Sequence, residues 1–216
     1  GGYVPIAVKG TADSFQGYNL IAITRKDSDI KSMSDLKGKM VAHTSASSNS
    51  GNLAPRALFP ALGLTPDVDY TVKYSGKHDQ SVMGVLAGDY DAAPVASDVF
   101  NRMAAAGRIN EDDFRILYTS PRFPTSAFGY AHDLHPDLVA KINEAFFSFR
   151  FSAEMSKTFG GADRFYPVTF KEDWKVIRDI AHATGTAYTK KGLQKLAEKD
   201  AAKAAKKAAA AAAKSS

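Results

Sequence analysis

Eight consecutive residues, Ser45-Ala46-Ser47-Ser48-Asn49-Ser50-Gly51-Asn52, include four serines and two asparagines. They follow an apolar run, Met40-Val41-Ala42-His43, and precede a helical pattern over about 53–62 that ends at Gly63. A helix start presents backbone N–H groups without intrahelical partners and the positive end of the helix dipole, so it attracts anions. Hydroxyls of Ser47, Ser48 and Ser50 and the Asn49 amide add donors, and Gly51 would let a ligand approach the backbone. The same composition also suits a capped helix behind an ordinary polar turn. The Gly-Lys-Ser/Thr ending of a nucleotide-binding loop is missing.

Two further polar positions follow similar apolar runs. His78 lies in Ser75-Gly76-Lys77-His78-Asp79 after Tyr70–Tyr74, and Asp98 follows Ser97 after Asp91–Ala96. An imidazole N–H is a directional donor to an oxyanion. A carboxylate beside an anion site accepts the proton of a protonated ligand and rejects fully deprotonated competitors. Ser50, His78 and Asp98 are also the residue types of a nucleophilic triad, so a hydrolase is the alternative of another class. Against it, no Gly-x-Ser-x-Gly elbow is present. His132 and His135 lack the carboxylate–histidine spacing of a metal site. No metal and no cofactor is expected.

These positions require elements to hold them. Tyr18–Thr24 reads as a buried strand, followed by a short helical turn over 34–39 closed by Gly38. Three strand-to-helix junctions then follow. The first helix carries Pro55 in its expected first turn, where no intrahelical N–H is needed. The second, over about 79–87, would be capped by Asp79 or Ser75, and the third spans about 98–106. Strands at 114–118 and 126–132, an amphipathic helix over Pro136–Phe151 and a helix over Lys171–Thr184 complete the pattern. Such alternation implies an α/β fold with a mostly parallel sheet flanked by helices. Ligands then collect at the carboxyl ends of the strands, where all three junctions lie.

Composition narrows the function classes. The 216 residues carry a net charge of +5, yet eight lysines against Glu198 and Asp200 fall between Lys190 and Ser216. The basic balance therefore belongs to an Ala/Lys-rich tail, expected to form a solvated helix. The body has no basic stripe interleaved with aromatics, so no nucleic-acid partner is expected. No run approaches the roughly 20 apolar residues of a membrane span. The chain has no cysteine, which removes disulfides and thiolate chemistry. It opens Gly1-Gly2-Tyr3-Val4 without a signal-peptide pattern, so any such segment is expected to lie outside this chain.

At these residues the sequence resembles the phosphate/phosphite/phosphonate class of ABC-transporter substrate-binding proteins, the phosphite-type branch above all. The matching segments include Tyr18–Ile30, Asp35-Leu36-Lys37-Gly38-Lys39, the run from Ser47 to Arg56, Ser75–Asp79, Gly88–Ala93, Ser97-Asp98 and Phe123-Pro124-Thr125-Ser126. The resemblance implies a two-lobed, type II periplasmic-binding-protein fold whose first lobe is incomplete here. Residues 1–24 would be a remnant of lobe one with a first hinge strand, and 25–127 would be lobe two. Residues 128–190 would be a second hinge strand and the rest of lobe one, with 191–216 as the tail. Ser48, Asn49 and Ser50 then match the triplet that holds the phosphorus oxygens, and His78 and Asp98 match ligand-facing positions. Thr125 and Ser126 match a second polar position near the hinge, and Tyr18 is a cleft aromatic. Related arsenite receptors use a cysteine that this chain lacks. The implied protein is not an enzyme. It is a monomer that captures a small oxyanion, such as phosphite, hypophosphite or a phosphonate, and delivers it to a membrane permease. It would be periplasmic or lipid-anchored outside the cytoplasm. An oxyanion sensor feeding a kinase is the alternative within binding proteins.

Overall fold

Alternation along one strand organises most of the molecule. In the computed structural model, which describes residues 2–185 together with Gln194 and Glu198, strand β3 (Leu20–Arg25) is buried on both faces. Leu20 and Ala22 point into one apolar core, and Ile21 and Ile23 into another. Successive strand residues face opposite sides, so a strand between two helical layers reads as a continuous apolar run. β3 belongs to a five-stranded sheet with β4 (Met40–His43), β5 (Thr71–Tyr74), β6 (Ala92–Ala96) and β7 (Phe114–Thr119), in the order β5-β4-β6-β3-β7. The Ala/Lys-rich tail expected to be a solvated helix lies outside the described residues, Gln194 and Glu198 apart.

The expected mostly parallel sheet requires correction. β4 runs parallel to β5 and β6, but β3 is antiparallel to both β6 and β7. The three strand–helix junctions produce the parallel half. β3 and β7 enter from segments outside those units, and residue pattern does not encode their direction. Helices α2 (His78–Ala87) and α3 (Ser97–Ala105) cover one face through Val82, Val85, Phe100 and Met103. Helix α1 (Ala54–Leu58) with its flanking turns covers the other through Ala54 and Phe59.

A second sheet is antiparallel throughout. Its central strand β1 (Tyr3–Gly10) pairs with β9 (Phe128–Ala131) and β10 (Arg164–Pro167). The expected series of strands begins only at Tyr18, although the alternation of Val4, Ile6 and Val8 already carries the signal for β1. Phe128, Phe146 and Phe165 pack on one another here, with ring centroids 4.7–5.8 Å apart. The amphipathic helix α4 (Pro136–Ser148) stops short of Phe149 and has no buried residue; α5 (Ala153–Thr158) follows.

The two sheets meet at a two-stranded ribbon, β2 (Gly17–Tyr18) with β8 (Phe123–Pro124). Leu20–Thr24, near which the first hinge strand is expected, forms most of a central strand of the large sheet, and its uninterrupted apolarity suits burial between layers. The crossing therefore falls before it. The C-terminal assignment also changes. Helix α6 (Lys175–Ala183) is shorter than expected and buries Ile180 in the core that contains Leu20, Val41 and Phe59. The chain thus returns to the large sheet after completing the small one.

Candidate functional site

The serine-rich run begins its helix four residues earlier than the pattern predicts. Asn49–Leu53 forms a π-wound turn that passes into α1 and then into a 3-10 turn, Phe59–Leu62, closed by left-handed Gly63. The backbone N–H groups of Asn52 and Leu53 share the carbonyl of Ser48, and Ala54 N–H reaches back to Asn49. Gly51 explains the tight entry. A Cβ there would lie 2.0 Å from Thr44 Oγ1, so the close approach is to Thr44 rather than to a ligand, as the sequence pattern implies. Pro55 is therefore not in the first turn of the run. The carbonyl of Gly51, which its missing N–H would have met, accepts from Thr44 N–H at 3.1 Å instead.

This arrangement leaves donors unspent. Ser48 Oγ accepts from Gly51 N–H at 3.2 Å, and among the described residues its own proton meets no acceptor. Asn49 Nδ2 donates to the Tyr18 hydroxyl at 3.3 Å, and Ser50 is a second side-chain hydrogen-bonding partner of that hydroxyl. Burial raises the Tyr18 pKa, with Asp98 acting in the same direction, so the phenol stays protonated. Among the described residues, no protein acceptor pairs the backbone N–H groups of Asn49 or Ser50. Ser47 stands exposed at the tip of the loop.

His78 is the first residue of α2 and half buried. Neither Asp79 nor Ser75 caps this helix: its N-cap is Lys77 without a side-chain bond, and Ser75 Oγ is engaged with Ser81 Oγ at 2.6 Å. The His78 ring instead bridges two junctions. Its Nδ1 accepts from Ala96 N–H at 3.2 Å, and its Nε2 lies 3.5 Å from Ser50 Oγ. Burial lowers its pKa, with Asp98 and Asp79 opposing. A neutral ring whose Nδ1 accepts must carry its proton on Nε2, the atom facing Ser50.

Under the loop lies a polar network that no sequence motif announces. Asn52 Nδ2 donates to the carbonyl of Ala46, and its Oδ1 accepts from Arg56 Nε at 3.0 Å. Because arginine only donates, this fixes the amide orientation, and His43 Nδ1 must donate to the same Oδ1 at 2.9 Å. His43 Nε2 then accepts from the Tyr70 hydroxyl at 3.0 Å. His43 is fully buried, and desolvation lowers its pKa to about 4. His43 and Tyr70 stand 27 positions apart, so local pattern cannot join them.

Beyond the loop a cavity of about 510 Å³ lies between the two sheets, lined in part by Asp98, Thr125 and Ser126. Asp98 is exposed in the first turn of α3, and its charge reaches both His78 and Tyr18. Thr125 donates its hydroxyl proton to the carbonyl of Gln16 at 3.1 Å, leaving only its lone pairs for the cleft. Ser126 is exposed. The structure thus joins Tyr18, Asn49, Ser50, His78 and Asp98 in one group and Asp98, Thr125 and Ser126 in one cavity wall. Lys9, Gln16 and Arg102 share that wall and are not among the expected residues. Arg102 was findable, because it stands four residues after Asp98 on the same helix face.

Residues 1–174 match the family described as ABC transporter, phosphonate, periplasmic substrate-binding protein. The chain belongs to this family. Several solved structures are similar. PhnD1 from Prochlorococcus marinus, in complex with methylphosphonate, superposes with a TM-score of 0.66 at 17% identity, covering 84% of this chain and 71% of that one. A binding-protein component of an ABC phosphonate transporter from Pseudomonas aeruginosa gives 0.62 at 18% identity, covering 96% and 74%. A Xanthomonas citri protein bound to chloride gives 0.66 at 17%, covering 84% and 70%. At these identities the likeness concerns the fold, which is that of type II periplasmic binding proteins. The family is one of transporter substrate-binding proteins that work outside the cytoplasm with an ABC permease.

Proposed function

We propose that this chain is the substrate-binding component of an importer and captures a small phosphorus oxyanion: phosphite, hypophosphite or a phosphonate. The observation that carries this reading is the convergence of hydrogen-bond donors from separate elements. The hydroxyls of Ser48, Ser50 and Tyr18, the Asn49 amide and His78 Nε2–H sit at one strand edge. Together they replace the hydration of an anion with charge-assisted hydrogen bonds. For phosphite and phosphonates, whose monoanions keep a P–OH, Asp98 accepts that proton, which selects them over sulfate.

In this reading the two sheets with their helices are two lobes, and Gly17–Tyr18 and Phe123–Pro124 are the crossings about which they close. Closure brings Ser126 onto the ligand, with Thr125 beside it once its hydroxyl proton turns from the Gln16 carbonyl, and strengthens every hydrogen bond by excluding water. The protein acts as a monomer, periplasmic or lipid-anchored, and hands its ligand to a membrane permease. No bond is made or broken. A hydrolase would need His78 Nε2 to accept the Ser50 proton, whereas the Ala96 N–H on Nδ1 favours the tautomer that donates there.

A calorimetric panel of phosphite, hypophosphite, methylphosphonate, phosphate, sulfate and arsenite tests the proposal. Saturable binding of at least one of the first three, weaker binding of sulfate and no product formation are expected. No binding of any phosphorus oxyanion, or steady turnover of ester substrates, would overturn it.

A further inference from the structure

The open cleft between the second sheet and α3 is roomier than an inorganic oxyanion requires before any closure. Four heavy atoms at roughly 30 Å³ each, the share of a water molecule in the liquid, need about 120 Å³. The space lined by Asp98, Lys9, Arg102, Ser126, Phe128 and Phe159 is about 510 Å³. Two of these six side chains are cations from opposite sides of the cavity. Arg102 lies one turn beyond Asp98 on α3, about 6 Å further along the helix axis. Lys9 comes from β1, with its Nζ 4.6 Å from the centre of the Phe159 ring. Gln16 Nε2 donates to the Phe159 carbonyl at 2.9 Å and fixes that wall. Among the described residues neither Lys9 nor Arg102 makes an ion pair, so both charges are available to a ligand.

We propose that the preferred ligand is an organophosphonate with a carboxylate at its organic end. Its phosphonyl group occupies the Ser48–Ser50 loop, and its carboxylate lies between Lys9 and Arg102. The inference rests on the phosphorus-oxyanion reading of the loop and adds the class of substituent. Asp98 joins the two ends of such a molecule: its charge reaches Tyr18 and His78 at the loop, and it also lines the cavity, with Arg102 one turn further on α3 and Lys9, Phe128 and Phe159 on other parts of the wall. A guanidinium pairs with a carboxylate through two parallel hydrogen bonds, and an ammonium adds a point charge.

Calorimetry on the full chain with phosphonopropionate and methylphosphonate tests this. Phosphonopropionate should bind at least about tenfold more tightly, a difference of about 1.4 kcal/mol. The double variant Lys9→Gln/Arg102→Gln should bring the ratio of the two affinities close to one, and Arg102→Lys should retain most of it. Ser50→Ala should weaken both ligands and leave the ratio standing. Methylphosphonate binding as tightly as phosphonopropionate, or a ratio unchanged in the double variant, would overturn the carboxylate site and spare the oxyanion loop. Failure of both ligands to bind would overturn both.

Discussion

Acidification should destabilise this protein through His43 before most carboxylates are protonated. The ring is fully buried between Asn52 and Tyr70, and its pKa falls from 6.5 to about 4. Desolvation is the main cause, and the nearby Arg56 guanidinium adds to it. A depressed folded-state pKa means that the unfolded chain binds the extra proton first. The stability that neutral His43 contributes is therefore complete above pH 6.5 and is lost as pH falls toward 4. A shift of about 2.5 units corresponds to about 3 kcal/mol in total, and between pH 7 and pH 5 the loss is about 2 kcal/mol. That is a large share of the roughly 5–15 kcal/mol typical of a folded domain. Urea unfolding from about pH 7.5 to about pH 4.5, with His43→Gln in parallel, isolates the effect. His78 has a shift in the same direction, but it titrates in both proteins and cancels in the difference. Asp35 and Asp163 have lowered pKa values and lose their contribution only at the acid end. The variant should be less stable at neutral pH, and its stability should change less with pH. Parallel stability–pH curves for the two proteins would refute the reasoning.

Ser50→Ala should weaken oxyanion binding by about 1–3 kcal/mol, the range for a hydrogen bond to a charged group; unchanged calorimetric affinity would remove Ser50 from the site. Gly51→Ala sets a methyl 2.0 Å from Thr44 Oγ1 and should cost about 1–3 kcal/mol of stability in denaturant unfolding. Ile180→Ala opens a cavity in the core shared with Leu20 and Phe59 and should cost about 2–5 kcal/mol. A cost near zero there would show that α6 does not pack on the large sheet.

Local pattern carried much of the site and less of the architecture. Met40–His43, Tyr70–Tyr74 and Asp91–Ala96 announce strands, and the polar residues after each mark one edge, so Ser50, His78 and Asp98 group together on sequence alone. The direction of β3 was not legible, because a strand buried on both faces has the same composition in either orientation. The crossing between sheets is hard to read for a related reason: an apolar run looks alike as a hinge and as a sheet centre. The His43–Asn52–Tyr70 network depends on contacts between distant residues. Lys9 on a strand offers no local sign that it faces a cleft.

The buried network and the donors above it are two parts of one device. Loop residues with free hydroxyls and amides would gain little by binding an anion if the loop had to be ordered at that moment, since fixing each residue costs about 1–2 kcal/mol. Asn52 meets that cost on folding. One face of its amide holds the Ala46 carbonyl, and the other is held by His43 and Arg56. Gly51 packed on Thr44 fixes the far end of the same loop. Asn52→Leu, close in volume but without polar atoms, leaves His43 Nδ1 and Arg56 Nε without their acceptor and releases Ala46. No proposed ligand contact is removed. If preorganisation is the role of the network, this variant weakens methylphosphonate binding with a more unfavourable binding entropy, because ordering the loop is shifted into the binding step. A purely structural role predicts a lower melting temperature with affinity and binding entropy intact wherever the variant is folded. Calorimetry on Asn52→Leu well below its unfolding transition separates the two.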